Sequence, residues 1–380
     1  MKQDIGKASI ALHRKLRGKI SVTSKKAIKH RADLALVYTP GVGAVSMAIA
    51  KKPSEVRELT WVGNTVAVVS DGSAVLGLGN IGPAAALPVM EGKCAIFKQF
   101  AKVDAVPIVL ATQDVEQIIQ TVQALEPSFG AIQLEDISAP RCFEIERWLS
   151  ESLSIPVMHD DQHGTAIVIL AGIMNAMKVT GRRDVKKVKI VLNGAGAAGT
   201  AAARLLNAAG FVNVIACDRE GAIWKGRPGM NAPKQDLATF TNPNALHGTL
   251  AEVAAGADVL VGISAAGAFT PELIRSMSPR AIVFALANPT PEIVPDLAKK
   301  AGAAVTATGR SDYANQLNNA LVYPGLFRGM LDRRVKKVDE ATKVRAANAL
   351  AGFIKKPTAD RIVPSIFDKG LHQAIARSVK

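Results

Sequence analysis

The stretch VKIVLNGAGAAG, residues 188–199, decides how the rest of the chain is read. Val188–Leu192 has the length and β-branched content of a buried strand, and the following TAAARLLNAAG has helical spacing. Between them Gly194, Gly196 and Gly199 form G-x-G-x-x-G. The first glycine permits a tight turn, the second lets the backbone approach a pyrophosphate, and the third lets helix and strand pack closely. Free N–H groups at the helix start, around Ala197 and Ala198, would face the same phosphates. The next strand-like run, VNVIACD, ends in Asp218, where a carboxylate would accept from a ribose. Arg219 follows at once and could hold a 2′-phosphate instead. The two residues pull in opposite directions, so the cofactor is read as NAD or NADP.

Working outward, VKIVLN, VNVIACD, DVLVGIS and AIVFALAN alternate with helical segments, the pattern of a parallel, doubly wound Rossmann-type sheet. Upstream, TVAVVS (65–70) reads as a strand ending at the turn Asp71-Gly72, and VLGLGNIG (75–82) as a second strand and loop. VPIVLAT (106–112) and AIQLED (131–136) read as further strands. Between them, Ile118, Ile119, Val122 and Leu125 are spaced for a helix over 114–126. A helix start at Ser138 precedes a helix over 141–152, and Ala166–Met177 reads as a buried helix. Residues 8–18 form a basic amphipathic pattern, and the tail beyond 330 is helical with a loop at Lys356-Pro357. The fold class is α/β. The expected domains are an N-terminal α/β domain over 1–160, a nucleotide-binding domain over 161–330 and a C-terminal helical segment over 331–380.

Composition narrows the function classes. The 380 residues are 48% hydrophobic but only 4% aromatic, which suits tightly packed α/β layers. The net charge of +15 is spread in short clusters such as Arg333–Lys337, with no basic run interleaved with aromatics, so no nucleic-acid partner is expected. Cys94, Cys142 and Cys217 lie far apart with no CxxC pair, which disfavours a thiolate zinc site and fits a reducing cytoplasm. Residues 1–19 carry no apolar signal core, and no run is expected to reach the ~18 apolar residues of a membrane span.

A second stretch, VMHDDQHGTA (157–166), raises a question of charge. Asp160 and Asp161 are adjacent and mutually repulsive, and both follow a predicted strand. Glu135 and Asp136 stand in the same position after AIQLED. The carboxyl edge of an open α/β sheet is where ligands bind. Four acids converging there need a cation, and all-oxygen ligation points to Mg²⁺ or Mn²⁺. The rival is zinc on His159 and His163, which are four residues apart. That motif needs a glutamate after the first histidine, within a helix, and Gly164 would weaken a helix here. Helix-capping explains one aspartate but not both pairs.

These blocks together resemble malic enzymes, particularly the short bacterial type, over nearly the whole chain. HRKLRGKI, LVYTPGV, SDGSAVLGLGNIGP, PVMEGKCAIFK, LEDISAPRCFEIE, HDDQHGTA, ANPTPE and QLNNALVYPG all look like blocks of that family. The resemblance implies that Glu135, Asp136 and Asp161 bind the divalent metal, with Asp160 tuning the site. It implies Tyr38 as general acid and Lys93 as general base in contact with substrate. Asn288 and Asn319 would hold substrate carboxylates and the cofactor amide, with Asn318 close by. One departure stands out: larger members carry a carboxylate-clamping arginine where this chain has Ala74. The implied reaction is (S)-malate to pyruvate and CO2 with reduction of NAD(P)⁺. The alternatives are malolactic chemistry and metal-dependent oxaloacetate decarboxylation. A homodimer is also implied. For Lys93 to act as a base, its pKa is expected to fall.

Overall fold

The computed structural model describes residues 4–380. Two sheets lie along the chain. The first contains β1 (Thr65–Ser70), β2 (Asp104–Val109), β3 (Ala131–Leu134) and β4 (Val157–His159), in the order β2-β1-β3-β4, with every pairing parallel. Side chains alternate across it as the pleat requires. Val66 and Val68 enter one apolar cluster, while Ala67 and Val69 enter another with Ile132, Leu134, Ile145 and Leu149. Leu134 pairs with Val69 on one side and His159 on the other. That register ends β3 and β4 level, so the acids after each strand emerge side by side.

The second sheet contains β5 (Ile190–Asn193), β6 (Val214–Asp218), β7 (Gly221–Ala222), β8 (Val259–Gly262), β9 (Ala281–Ala285) and β10 (Ala303–Thr308). Its order is β10-β9-β8-β5-β6-β7, parallel except for the short β6–β7 pair. β5 has β6 on one side and β8 on the other, so the strand order reverses beside Gly194. This is the switch point at which doubly wound sheets bind ligands.

The helix Asp160–Thr180 joins the two sheets. It is apolar on nearly all sides, as a helix enclosed by its own protein must be. It starts at Asp160, six residues before the sequence pattern placed it. Three helices follow the second sheet: Tyr323–Arg333, Glu340–Phe353 and Leu371–Ser378. They return to the first sheet, where Phe97 packs edge-on against Tyr323 at 4.7 Å and Phe327 at 5.4 Å between centroids. One apolar cluster therefore runs from Val66 and Cys94 through the connecting helix to β5, β8 and the C-terminal helices.

Two expectations need correction, and two strands went unread. VLGLGNIG is a loop closed by a Val75–Gly79 bridge, because Leu76 and Gly79 adopt positive φ and break the extended run. β7 and β10 had no separate signal in the sequence reading. Two stretches do reach the length and hydropathy of a membrane span. Residues 160–180 are mostly enclosed by the fold, while 31–51 are broken at Tyr38–Pro40 into helices Arg31–Val37 and Gly41–Lys51.

Candidate active site

β3 continues into Glu135 and Asp136, and β4 runs directly into the helix that begins Asp160-Asp161. Ligand oxygens of Glu135, Asp136 and Asp161 lie within 4.8 Å of one another. The Asp136 amide donates to Asp161 Oδ2 at 2.7 Å, and Asp136 has φ of 54°, a left-handed turn that lets its carboxylate face the others. Gln133 Nε2 donates to Glu135 Oε2 at 2.7 Å. The buried Asp136 Oδ2 has no hydrogen-bond partner. Burial and the Asp161 charge push the Asp136 carboxyl up to about 7, and the same two causes push Glu135 well above its usual range. Two buried acids whose ionisation is opposed by burial and by the third carboxylate, with an orphaned oxygen among them, fit a divalent cation of the oxygen-seeking kind.

Lys93, on the helix Pro83–Ile96, reaches into this cluster. Its Nζ lies 2.6 Å from Asp160 Oδ2 and 2.8 Å from Glu135 Oε1, and donates to Asn319 Oδ1 at 3.1 Å. Asp160 is fully buried, and its Oδ1 is unpartnered. Burial pulls the Lys93 pKa down, but the negative charges of Asp160 and Glu135 outweigh it, so the group stands well above its usual value. These side chains by themselves raise the Lys93 pKa rather than lower it as expected. The surrounding carboxylates outnumber the one ammonium.

Gly164 explains how the helix begins here. A Cβ at that position would lie 2.0 Å from Asp160 Oδ1 and 2.9 Å from Asn319 Cβ. The glycine read as weakening a helix instead makes room for the Asp160 carboxylate inside one. The two histidines do not form a zinc pair. His163 Nε2 meets Glu146 Oε2 at 2.9 Å, whereas His159 is buried, neither of its ring nitrogens has a hydrogen-bond partner, and its Nδ1 lies 3.8 Å from Asp161 Oδ2. Glu146 also accepts from the His159 amide and from Gln162, so it organises the turn that carries the two aspartates.

The remaining expected residues are distributed as follows. Asn319 joins the cluster, and Asn318 instead caps the short turn after it through Ala320 N. Asn288 is exposed on the loop after β9, where its carbonyl meets Gly77 and its amide faces Gly309. Ala74 lies beside the acids, its amide donating to the Asp136 carbonyl at 2.9 Å. Tyr38 is not brought in. It follows the helix Arg31–Val37, is 65% exposed, and among the described residues makes no side-chain hydrogen bond. A residue that sequence reasoning passed over is Tyr323. It is fully buried, its ring lies 4.7 Å from Lys93 Nζ, and its hydroxyl donates to the Lys93 carbonyl at 3.3 Å. Its position in the QLNNALVYPG block was the available signal.

On the second sheet, a Cβ on Gly199 would strike the Gly194 carbonyl at 1.8 Å, and one on Gly194 the Ile263 carbonyl at 2.5 Å. Gly196 faces open space at the N-terminus of the helix Ala197–Ala208, with Ala197 and Ala198 in its first turn. This is the division of labour expected of a pyrophosphate turn. Asp218 ends β6, but its oxygens are already engaged by the Arg227 guanidinium and by Lys234 Nζ at 2.7 Å. Although burial opposes it, these cations hold the carboxyl well below its usual range. Arg219 is exposed.

Comparison with known proteins follows this division. Residues 17–150 match the family profile "Malic enzyme, N-terminal domain", and residues 162–379 match "Malic enzyme, NAD binding domain". The chain is 50% identical over 374 residues to the bifunctional malic/malolactic enzyme of Bacillus subtilis, covering 98% of this chain and 91% of that one. It is 52% identical over 364 residues to the NAD-dependent malic enzyme of Geobacillus stearothermophilus, covering 95% and 76%. The crystal structure of an NAD-dependent malic enzyme from Thermotoga maritima superposes with a TM-score of 0.95 at 46% identity, covering 98% of each chain.

Proposed function

The chain belongs to the malic enzyme family and is an NAD(P)-dependent malic enzyme, and we propose that the Lys93 cluster is where malate reacts. The observation that carries this reading is the meeting of Lys93 with Asp160, Glu135 and Asn319 beside three convergent carboxylates. Glu135, Asp136 and Asp161 would hold the Mg²⁺ or Mn²⁺, and the Gly194–Gly199 turn the dinucleotide. When bound, the cation supplies Lewis acidity toward the substrate's C2 oxygen and the nicotinamide supplies the hydride acceptor.

Lys93 Nζ is the group placed to take the C2 hydroxyl proton. It becomes a base once the charge on Glu135 and its neighbours is compensated, because those charges are what hold its proton. Asp160 and Asn319 fix the amine's direction, and the buried Tyr323 ring lies against it. Asn319 and Asn288 are the amide groups available to substrate carboxylates and to the nicotinamide. We divide the chain between residues 160 and 161, with the helical segment from 331, and keep the cytoplasm as the expected compartment.

Tyr38, as the acid that protonates C3 of enolpyruvate, needs another route to the cluster. Residues 5–61 expose Leu36, Met47 and Trp61 as well as Tyr38, more apolar surface than a free arm would ordinarily show. A homodimer in which this arm covers the partner, bringing Tyr38 to the partner's cluster, accounts for both facts. Mixing inactive Tyr38→Phe and Lys93→Ala chains should then restore about a quarter of wild-type activity, since half the dimers each have one intact site. No restoration would refute the shared site.

The reaction itself is tested by following the absorbance of reduced nicotinamide with malate and Mn²⁺, supplying NAD⁺ and NADP⁺ separately. A second reading, malolactic turnover, is favoured by the bifunctional B. subtilis relative. Lactate formation without net reduced nucleotide would select it. Oxaloacetate loss without any nucleotide requirement would select simple decarboxylation.

A further inference from the structure

The ANPTPE block ends in Glu292, to which the functional reading gives no task. Glu292 is fully buried on the carboxyl edge of the second sheet. Its Oε1 accepts from the Ser264 amide at 2.9 Å, just beyond β8, and its Oε2 accepts from the Ala287 amide at 3.0 Å, just beyond β9. Ser264 Oγ in turn accepts from Asn193 Nδ2 at 2.8 Å, at the end of β5 and one residue before the glycine turn. Space for the carboxylate exists because β8 ends in glycine: a Cβ on Gly262 would lie 2.4 Å from Glu292 Cδ. One buried side chain thus ties together the ends of three adjacent strands, β5, β8 and β9. Asn288, the amide assigned to the reacting end of the site, follows directly from Ala287.

We propose that Glu292 is a positioning residue that sets the nicotinamide end of the dinucleotide site by fixing the loops after β8 and β9. This rests on the nucleotide-binding reading given above. In a doubly wound sheet the pyrophosphate lies at the switch point, the adenosine ribose on the β6 side and the nicotinamide across it, on the β8–β9 side. Asp218, on the β6 side, shares no hydrogen bond with Glu292, so the two halves of the ligand are held by separate groups. Glu292 touches neither half. Its oxygens are spent on backbone amides, and its effect passes through the placement of Asn288 and Ser264.

The Glu292→Gln variant keeps shape but presents an NH2 to one of the two amides, donor against donor, and that loop must shift. The Gly262→Ala variant keeps the carboxylate and displaces it. Binding of reduced dinucleotide by fluorescence titration is compared with binding of ADP-ribose, or its 2′-phosphate, which lacks the nicotinamide. Both variants are expected to weaken the reduced dinucleotide about tenfold, the worth of one well-placed hydrogen bond, and to leave the ADP-ribose probe within about twofold. Equal weakening of both probes in a folded variant, or no weakening of either, overturns the proposal. Should Glu292→Gln fail to fold, Gly262→Ala decides by the same comparison. If the wild-type protein binds neither probe, the nucleotide-site reading fails, an outcome distinct from a failure of the Glu292 proposal.

Discussion

Replacing Gly164 with alanine separates the needs of the helix from those of the site. In an ordinary helix interior Gly→Ala stabilises by roughly 0.5–1 kcal/mol. Here the new methyl would lie 2.0 Å from Asp160 Oδ1 and 3.0 Å from Asp160 Cγ, with Asn319 Cβ at 2.9 Å on its other side. Carbon and oxygen settle no closer than about 3.3 Å, so the carboxylate must retreat by about 1 Å or more. Its other oxygen is the one 2.6 Å from Lys93 Nζ, and Asn319 is the second residue directing that amine. A displacement of about 1 Å at a reacting group costs on the order of 100-fold in rate, or about 2.7 kcal/mol of transition-state stabilisation. The assay pairs initial rates of nucleotide reduction, with malate and Mn²⁺, with thermal unfolding of the same preparation. The expected result is a folded protein whose kcat falls on the order of 100-fold. Activity within about threefold of wild type would refute the reasoning, since a group free to yield that much without loss is not holding the base.

Three further outcomes are expected. Asp161→Ala removes one of three convergent oxygens and the acceptor of the Asp136 amide, so Mn²⁺ affinity by titration calorimetry should fall at least about 100-fold, and an unchanged affinity excludes Asp161 as a ligand. His372 is buried, and that burial, only partly offset by the Ile366 backbone, lowers its pKa from 6.5 to about 4. The unfolded chain takes up that proton first, so stability is full above the unfolded value and is lost as pH falls from about 6.5 toward 4, by up to about 2 kcal/mol after allowing for partial solvent access. His372→Leu should flatten the fall in Tm between neutral and acid pH; an unaltered slope removes His372 as its source. Lys234→Ala should raise the KM for NADP⁺ more than that for NAD⁺, because Arg227 and Lys234 together leave positive charge in surplus over Asp218; equal changes would assign Lys234 to structure alone.

What was legible in the sequence was whatever depends on local order. The glycine spacing at 194–199, the acids following two strand-like runs and the alternation of strands with helices all survive in the fold, because each is set by residues close along the chain. What escaped depends on neighbours distant in sequence. Gly164 reads as a helix breaker until Asp160 and Asn319 are placed around it. The direction of the Lys93 shift depends on charges at 135 and 160, whose sum with burial no spacing reveals. Tyr323 carries an aromatic signal suited to any core, and only the return of its helix to the first sheet puts it under Lys93. The loop at 75–82 has strand-like composition, but it is held by residues far along the chain: the Asp136 carbonyl accepts from Ala74 just before it, and the Asn288 carbonyl closes on Gly77.

The return of the C-terminal helices to Phe97 has an effect on how the cleft can work. The first sheet borrows the lining of one of its faces from the far end of the chain, so that face belongs to neither half alone, while each half keeps a cluster of its own on the other side. Gaping of the two sheets about a free hinge would bare that shared lining to water. The helix Asp160–Thr180 runs through that shared face and carries the aspartates in its first turn, so whatever disturbs the joint between the two sheets also disturbs the floor of the chemistry.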